Sequence, residues 1–185
     1  MVASHVFSSL PGVPGPRLIR EDNRILYFAR DRVTFRYLSH FYPAPIRLDG
    51  EVWPTVEPLY RAQKSLDPGY RRAILSAGSP GRAKRLAARP DTPRRRSAQS
   101  WFRTNGALPR ADWNAVKLEI MRRGDWAKFT QHEDLGAALR ATSAALLVED
   151  SRADPYWGIG PDGRGENWAG RVLMEIRHAL RAASP

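Results

Sequence analysis

The sequence predicts an α+β fold, mainly α, and three observations carry that reading. Helical periodicity fills most of the chain beyond residue 54. Strand-like runs are few, short and concentrated before it, around one hairpin signal. At 185 residues with 42% hydrophobic content, the chain suits one compact domain with a substantial core.

Residues 1 to about 20, rich in Ser, Gly and Pro, read as a loose segment before a domain over 21–182. Ile25 to Ala29 and Val33 to Leu38 are short apolar runs, each expected to be a strand. "PIRLDGEVW", Pro45 to Trp53, alternates around Asp49-Gly50, a pair that tolerates positive φ and so marks a hairpin. Pro54 and Thr55 open a helix with Thr55 as its N-cap. Pro68 to Ala77 and Ser79 to Ala88 are further helices, the second with Ser79 as N-cap and Pro80 at its first position.

Arg89 to Ala111, "RPDTPRRRSAQSWFRTNGALPRA", reads as a long Arg- and Pro-rich loop or partly ordered insert. Asp112 to Gln131 is an amphipathic helix by the spacing of Trp113, Val116, Ile120, Trp126 and Phe129. His132 to Thr142 is a shorter helix, Ala145 to Val148 a strand. Glu166 to Ala182 closes the chain as a helix, with Trp168, Val172, Leu173, Ile176 and Leu180 turned inward.

Composition narrows the function classes. There are no cysteines, which removes disulfides and thiolate metal sites and fits a reducing, cytoplasmic setting. No apolar run approaches the roughly 20 residues that span a bilayer, so no membrane partner is expected. The N-terminal stretch lacks a basic region followed by a long apolar one, so no secretory signal is expected. The net charge of +11 points to an anionic ligand, either a phosphorylated metabolite or a nucleic acid, and does not choose between them.

Several familiar signatures fail on inspection. Gly158, Gly160 and Gly163 spell G-x-G-x-x-G, but no apolar strand precedes them and Pro161-Asp162 interrupts the motif. His5, His40, His132 and His178 share no metal-ligand spacing. Neither a metal nor any other cofactor is expected. No G-x-S-x-G elbow is present.

"WPTVEPLYRAQKS", Trp53 to Ser65, is more informative. On one helix Glu57, Tyr60, Arg61 and Lys64 fall at i, i+3, i+4 and i+7 and share a face. Spacing alone fits a solvated Glu–Arg pair as well as a carboxylate, phenol and amine aimed at one ligand. "RADPYWGIGPDGRGENWAG", Arg152 to Gly170, places two tryptophans among five glycines, a composition unlike either core or linker.

Taken in order, "LSHFYPAPIRLDGEVWPTVEPLYRAQK", "SPGRAKRL", "ADWNAVKLEIM", "KFTQH", "LVEDSRADPYWGIGPDGRGEN" and "GRVLMEIRHAL" resemble the NADAR (YbiA-like) family from about Leu38 to Leu180. The resemblance implies an N-glycosidase acting on a phosphorylated ribosyl N-glycoside. The substrate is then a ribosylaminopyrimidine phosphate of riboflavin synthesis, or ADP-ribosylated guanine, with ADP-ribosylated nucleic acid as a further partner. It places the family's carboxylate at Glu57, its Gln-Lys pair at Gln63 and Lys64, and its aspartate and tryptophans at Asp154, Trp157 and Trp113.

Breaking a ribosyl C1–N bond creates a cation-like C1 that a carboxylate stabilises while activating water. Alternatively Lys64 captures C1 as a Schiff base, which requires a partly neutral amine. Glu57, Lys64 and Asp154 are the expected catalytic residues. Tyr60, Arg61, Gln63, Trp113, Trp157, Gly158, Gly160 and Asn167 are expected to bind substrate. In that reading the tryptophans stack on the flat ring, and glycines 158, 160, 163 and 165 let backbone N–H groups reach a phosphate. The chain departs from the family pattern with His40 in place of Asn, and with Pro58 and Arg61 in the His and Gln places. A non-catalytic ADP-ribose or nucleotide binder and a nucleic-acid-binding protein are the competing classes.

Overall fold

The computed structural model describes residues 25–91, 93 and 98–183. The segment 1–20 and part of the expected insert lie outside the described residues. Two two-stranded sheets and seven α-helices make up the described architecture. β1 (Ile25–Phe28) pairs in parallel with β4 (Leu146–Glu149), Ile25 opposite Leu146 and Phe28 opposite Glu149. β2 (Ile46–Leu48) and β3 (Glu51–Trp53) form the expected hairpin, with Leu48 opposite Glu51. Asp49 and Gly50 take φ of 52° and 79°, the paired positive values that a two-residue turn requires.

The second expected strand, Val33 to Leu38, is not one. Phe35 turns left-handed at φ 59°, a 3-10 turn covers Arg36–Leu38, and Val33 is 94% exposed. The left-handed turn at Phe35 breaks the extended run, and the segment joins neither two-stranded sheet.

α1 (Val56–Ala62) follows β3 directly and is almost wholly buried. Thr55 occupies its N-cap, but its hydroxyl makes no capping bond and is buried without a partner among the described residues. α2 (Pro68–Leu75) and α3 (Pro80–Leu86) start on true caps, Asp67 accepting from the Tyr70 N–H and Ser79 from the Arg82 N–H. The expected loop contains a helix, α4 (Trp101–Asn105), capped by Ser100 and stopped by Gly106 at φ 61°. Phe102 is fully buried and its ring lies 4.7 Å from that of Tyr70. The arginines and prolines around "SWFRTNG" masked a short capped turn whose two aromatics had to be covered.

α5 (Trp113–Gln131) is the longest element, followed by α6 (Glu133–Ala141) and α7 (Trp168–Ala182). α1 packs on α5, close enough that a Cβ at Gly124 would lie 2.8 Å from a Leu59 methyl. α7 packs on β4, α5 and α6 through Val172, Leu173, Ile176 and Leu180. The apolar pattern of α5 is only part of what it buries. Met121, Asp125, Lys128 and Phe129 are buried, while Val116, Ile120 and Trp126 are half-buried. No helix among the described residues is long and apolar enough to cross a membrane.

Candidate active site

α1 ends at Ala62, so Lys64 sits in the turn beyond the helix rather than on a third helical turn. Its N–H donates to the Arg61 carbonyl at 3.1 Å, which folds the chain back over α1. Glu57 is 3% exposed, and its Oε1 accepts from Arg61 Nε at 2.9 Å. The pair is therefore a buried one, not the solvated pair that spacing also allowed. A buried carboxylate and guanidinium hold each other in place far more firmly than a surface pair.

Lys64 is 8% exposed, and its Nζ donates to the Ala87 carbonyl at 3.1 Å. The same Nζ lies 5.6 Å from the centre of the Trp113 ring. Burial first, and then the Arg61 guanidinium, pull this amine down to about 7. An ammonium has three donors, and one carbonyl and an aromatic face leave room for a further partner. The Arg-rich insert frames this turn, for the Arg110 N–H donates to the Lys64 carbonyl at 2.8 Å.

The late tryptophan loop meets α1 at Tyr60. Trp157 Nε1 donates to Tyr60 Oη at 3.3 Å, and the two rings meet edge to face at 5.4 Å. Trp113 packs on the other side of Tyr60 at 4.9 Å, and the Arg61 guanidinium covers the phenol ring at 5.0 Å. Burial raises the Tyr60 phenol well above its ordinary range, so it stays protonated as a donor. Glu57, Tyr60, Arg61, Lys64, Trp113 and Trp157 are thus brought together. Gln63 is the half-buried C-cap of α1.

Asp154 builds the loop. Its Oδ1 accepts from the N–H groups of Tyr156 at 3.1 Å and Trp157 at 3.0 Å, an Asx-type turn that sets the angle of the indole.

The glycine N–H groups do something other than expected. The Gly158 N–H donates to the Asp154 carbonyl, that of Gly160 to Ser151, that of Gly163 to Gly160 and that of Gly165 to Ile159, so none is free for a phosphate. A Cβ at Gly165 would lie 2.3 Å from the Gly158 carbonyl oxygen, and one at Gly158 would lie 2.7 Å from Ser151 Cβ. These residues are glycine because the loop crosses itself there. Asn167 is buried: its Oδ1 accepts from the Glu149 N–H and its Nδ2 donates to the Leu147 carbonyl. It stitches the start of α7 to β4.

Three side chains at the site escaped sequence reasoning as functional residues. Glu149 ends β4, and its neighbours in the electrostatic sense are His40, Glu57, Asp154 and Lys84. His40 Nε2 and Asp125 Oδ2 are 3.0 Å apart, and the imidazole meets Trp157 edge to face at 6.3 Å. Burial works against a charged His40, but the Asp125 carboxylate outweighs it and raises the ring above its usual value. The Glu57 N–H donates to the His40 carbonyl, which ties this pair to α1. A charged residue at the end of an apolar run, as in "LLVED", and buried acids within α5 are the signals that periodicity passes over.

A depression of about 410 Å³ lined by Tyr27, Arg32, Val148, Asp150, Ile159 and Asn167 holds none of Glu57, Lys64 or Glu149. Glu57, Tyr60, Arg61 and Lys64 converge instead with Trp113 and Trp157 where α1 meets the tryptophan loop.

Residues 27–181 match the family model described as the NADAR domain. The chain is 40% identical over 142 residues to the N-glycosidase YbiA of Escherichia coli, covering 77% of this chain and 79% of that protein. It is 34% identical over 160 residues to a riboflavin biosynthesis protein of Vibrio vulnificus, covering 86% of this chain but 40% of that longer protein. The NMR structure of E. coli YbiA superposes with a TM-score of 0.71 at 37% identity, covering 86% of each chain.

Proposed function

This chain belongs to the NADAR domain family and is an N-glycosidase, and we propose that it hydrolyses the bond between C1 of a phosphorylated ribose and the nitrogen of a flat heterocycle. The observation that supports this most is the buried meeting of Glu57, Arg61 and Lys64 with the Tyr60–Trp113–Trp157 aromatic set. Such a surface offers a flat ring two indoles to pack against, and offers C1 a carboxylate and an amine.

Glu57 stabilises positive charge at C1 and receives the proton of the attacking water. Arg61 orients that carboxylate through its 2.9 Å bond. Lys64, with an amine near half-neutral at pH 7, has the free pair needed to attack C1 of a ring-opened ribosylamine. In that route the amine displaces the base nitrogen, which leaves as a primary amine. Water then releases the sugar from Lys64. Asp154 is a positioning residue that acts through Trp157. Lys84 and Arg89, whose charges reach Lys64, add positive potential that favours a phosphorylated substrate.

The ribosylaminopyrimidine phosphates are the favoured substrates, because a relative is a riboflavin biosynthesis protein. The test is release of free base from a ribosylaminopyrimidine 5′-phosphate and, in parallel, from ADP-ribosylated guanosine. Release from the first at the higher kcat/KM supports the assignment. Release from the second alone replaces the substrate, and release from neither removes the function.

A further inference from the structure

We infer that Glu149 is the acid that hands a proton to the departing base nitrogen. The inference rests on the N-glycosidase reading of the same site. In β4 the side chains alternate, and Glu149 shares its face with Leu147, which is fully buried. Its carboxyl therefore points inward at the strand end nearest the tryptophan loop. Although the residue as a whole is half-buried, Oε2 is enclosed and has no hydrogen-bond partner among the described residues.

The backbone holds it there from both sides. The Glu149 N–H donates to Asn167 Oδ1 at 2.9 Å, and its carbonyl accepts from Ser151 at 2.9 Å and Ile159 at 3.1 Å. The loop that carries Trp157 is thus clamped to the residue that carries this carboxyl. A packing role would be met by an apolar side chain, and a bracing role would give the oxygen a donor. An enclosed carboxyl oxygen with neither, on the strand clamped to the tryptophan loop, fits a group kept for a reaction.

The charged groups whose fields reach it are His40, Glu57, Asp154 and Lys84. Burial lifts the carboxyl to about 7, Glu57 and Asp154 push the same way, and His40 and Lys84 oppose them. At neutral pH a large share of the molecules therefore carry the proton here, while Glu57 sits against the Arg61 guanidinium. Two carboxyls in one cleft with unlike surroundings divide the acid and base roles between them.

The step balances. The C1–N bond breaks with its electron pair passing to nitrogen, which takes the Glu149 proton. Water adds its oxygen to C1 and gives one proton to Glu57. Exchange with solvent then reprotonates Glu149 and deprotonates Glu57. Products are the free base and the ribose with a hydroxyl at C1.

The experiment compares wild type with Glu149→Gln on two substrates: a ribosylaminopyrimidine 5′-phosphate, and a 4-nitrophenyl riboside 5-phosphate whose leaving phenolate needs no proton. For the first, kcat should fall by about 10²-fold or more while KM holds, and for the second it should change little. The ratio of the two rates does not depend on how much of the variant is folded. In wild type, kcat on the aminopyrimidine substrate should decline as pH rises through about 7, and the variant should lose that decline. Glu149→Asp should recover part of the rate. An equal loss on both substrates, or no loss and an unchanged pH profile, overturns the inference. A wild type inert on both would instead overturn the glycosidase reading on which it rests.

Discussion

Two lysines of this protein are buried, and they stand in contrasting surroundings. Lys128, on α5, donates to the carbonyls of Tyr37 at 2.6 Å and Ser39 at 2.9 Å and lies near Asp125. Its amine is drawn down to about 8 by burial, against the pull of Asp125. Lys64, beyond α1, has one carbonyl at 3.1 Å, faces an indole, and is drawn down to about 7 by burial and Arg61. Lys128, with two carbonyl partners, braces the chain just before His40. The under-coordinated one is left with bonding capacity for something else. Burial alone therefore does not mark a reactive amine; what sets Lys64 apart is burial with a single carbonyl partner.

The sharpest way to break this contrast is to remove its carboxylate. Glu57→Gln keeps the volume and one acceptor for Arg61 but removes its counter-charge; base release per folded molecule should fall by about 10³-fold, with a stability loss of about 3 kcal/mol. Retained release in a folded Glu57→Gln protein would place the chemistry elsewhere.

The lysines themselves come next. Lys128→Met leaves the Tyr37 carbonyl without its donor, while Ser39 keeps the Tyr42 N–H, and should cost about 2 kcal/mol, seen as a fall of roughly 4–8 °C in melting temperature. Lys64→Met should stay within about 1 kcal/mol of wild type while losing most activity. Because the folded-state pKa of Lys64 lies below its unfolded value, the wild-type chain gains stability as pH rises from about 7 toward 10. The Lys64→Met variant should therefore compare best with wild type at pH 6 and less well at pH 10. Equal thermal losses for both variants would erase the distinction between brace and reagent.

The loop offers a comparison of its own. Gly165→Ala forces a Cβ to 2.3 Å from a carbonyl oxygen and should cost about 3 kcal/mol. Gly163 has φ of 77° and open space around its Cβ position, so Gly163→Ala should cost about 1 kcal/mol. Its KM should match wild type, because the Gly163 N–H is engaged with Gly160 and not with substrate. A large rise in KM for Gly163→Ala would return the phosphate to this loop.

The smallest effect is thermal and opposite in sign. The folded-state pKa of Glu149 lies above its unfolded value, so wild type loses stability as pH rises from about 4.5 to about 7. Glu149→Gln lacks that loss and should be about 1–2 kcal/mol more stable than wild type at pH 8, with no gain at pH 4. A variant less stable than wild type at pH 8 would make Glu149 a structural residue.

Sequence reading succeeded where one local pattern had one outcome. Asp49-Gly50 between alternating apolar residues fixed the hairpin, and Ser79-Pro80 fixed the start of α3. It failed where the partner was remote. Val33 to Leu38 looks like a strand, but Phe35 turns left-handed and the segment pairs with neither sheet. The turn "SWFRTNG" carries its own cap and stop, yet surrounding arginines hid that it covers Tyr70. Glycines that resemble an anion cradle give their N–H groups to the loop's own carbonyls.

The chain order alone determined that a carboxylate, a phenol, a guanidinium and an amine lie within eight residues, and that two tryptophans follow far downstream. Covalent spacing and helical pitch reach that far and no further. Only the tertiary structure decided which of those groups are dry. Packing α5 beneath α1 and clamping β4 to the tryptophan loop placed Glu57, Lys64 and Glu149 out of water. Desolvation is a property of everything around a side chain, and it is what turns an ordinary lysine and glutamate into groups that titrate near neutrality.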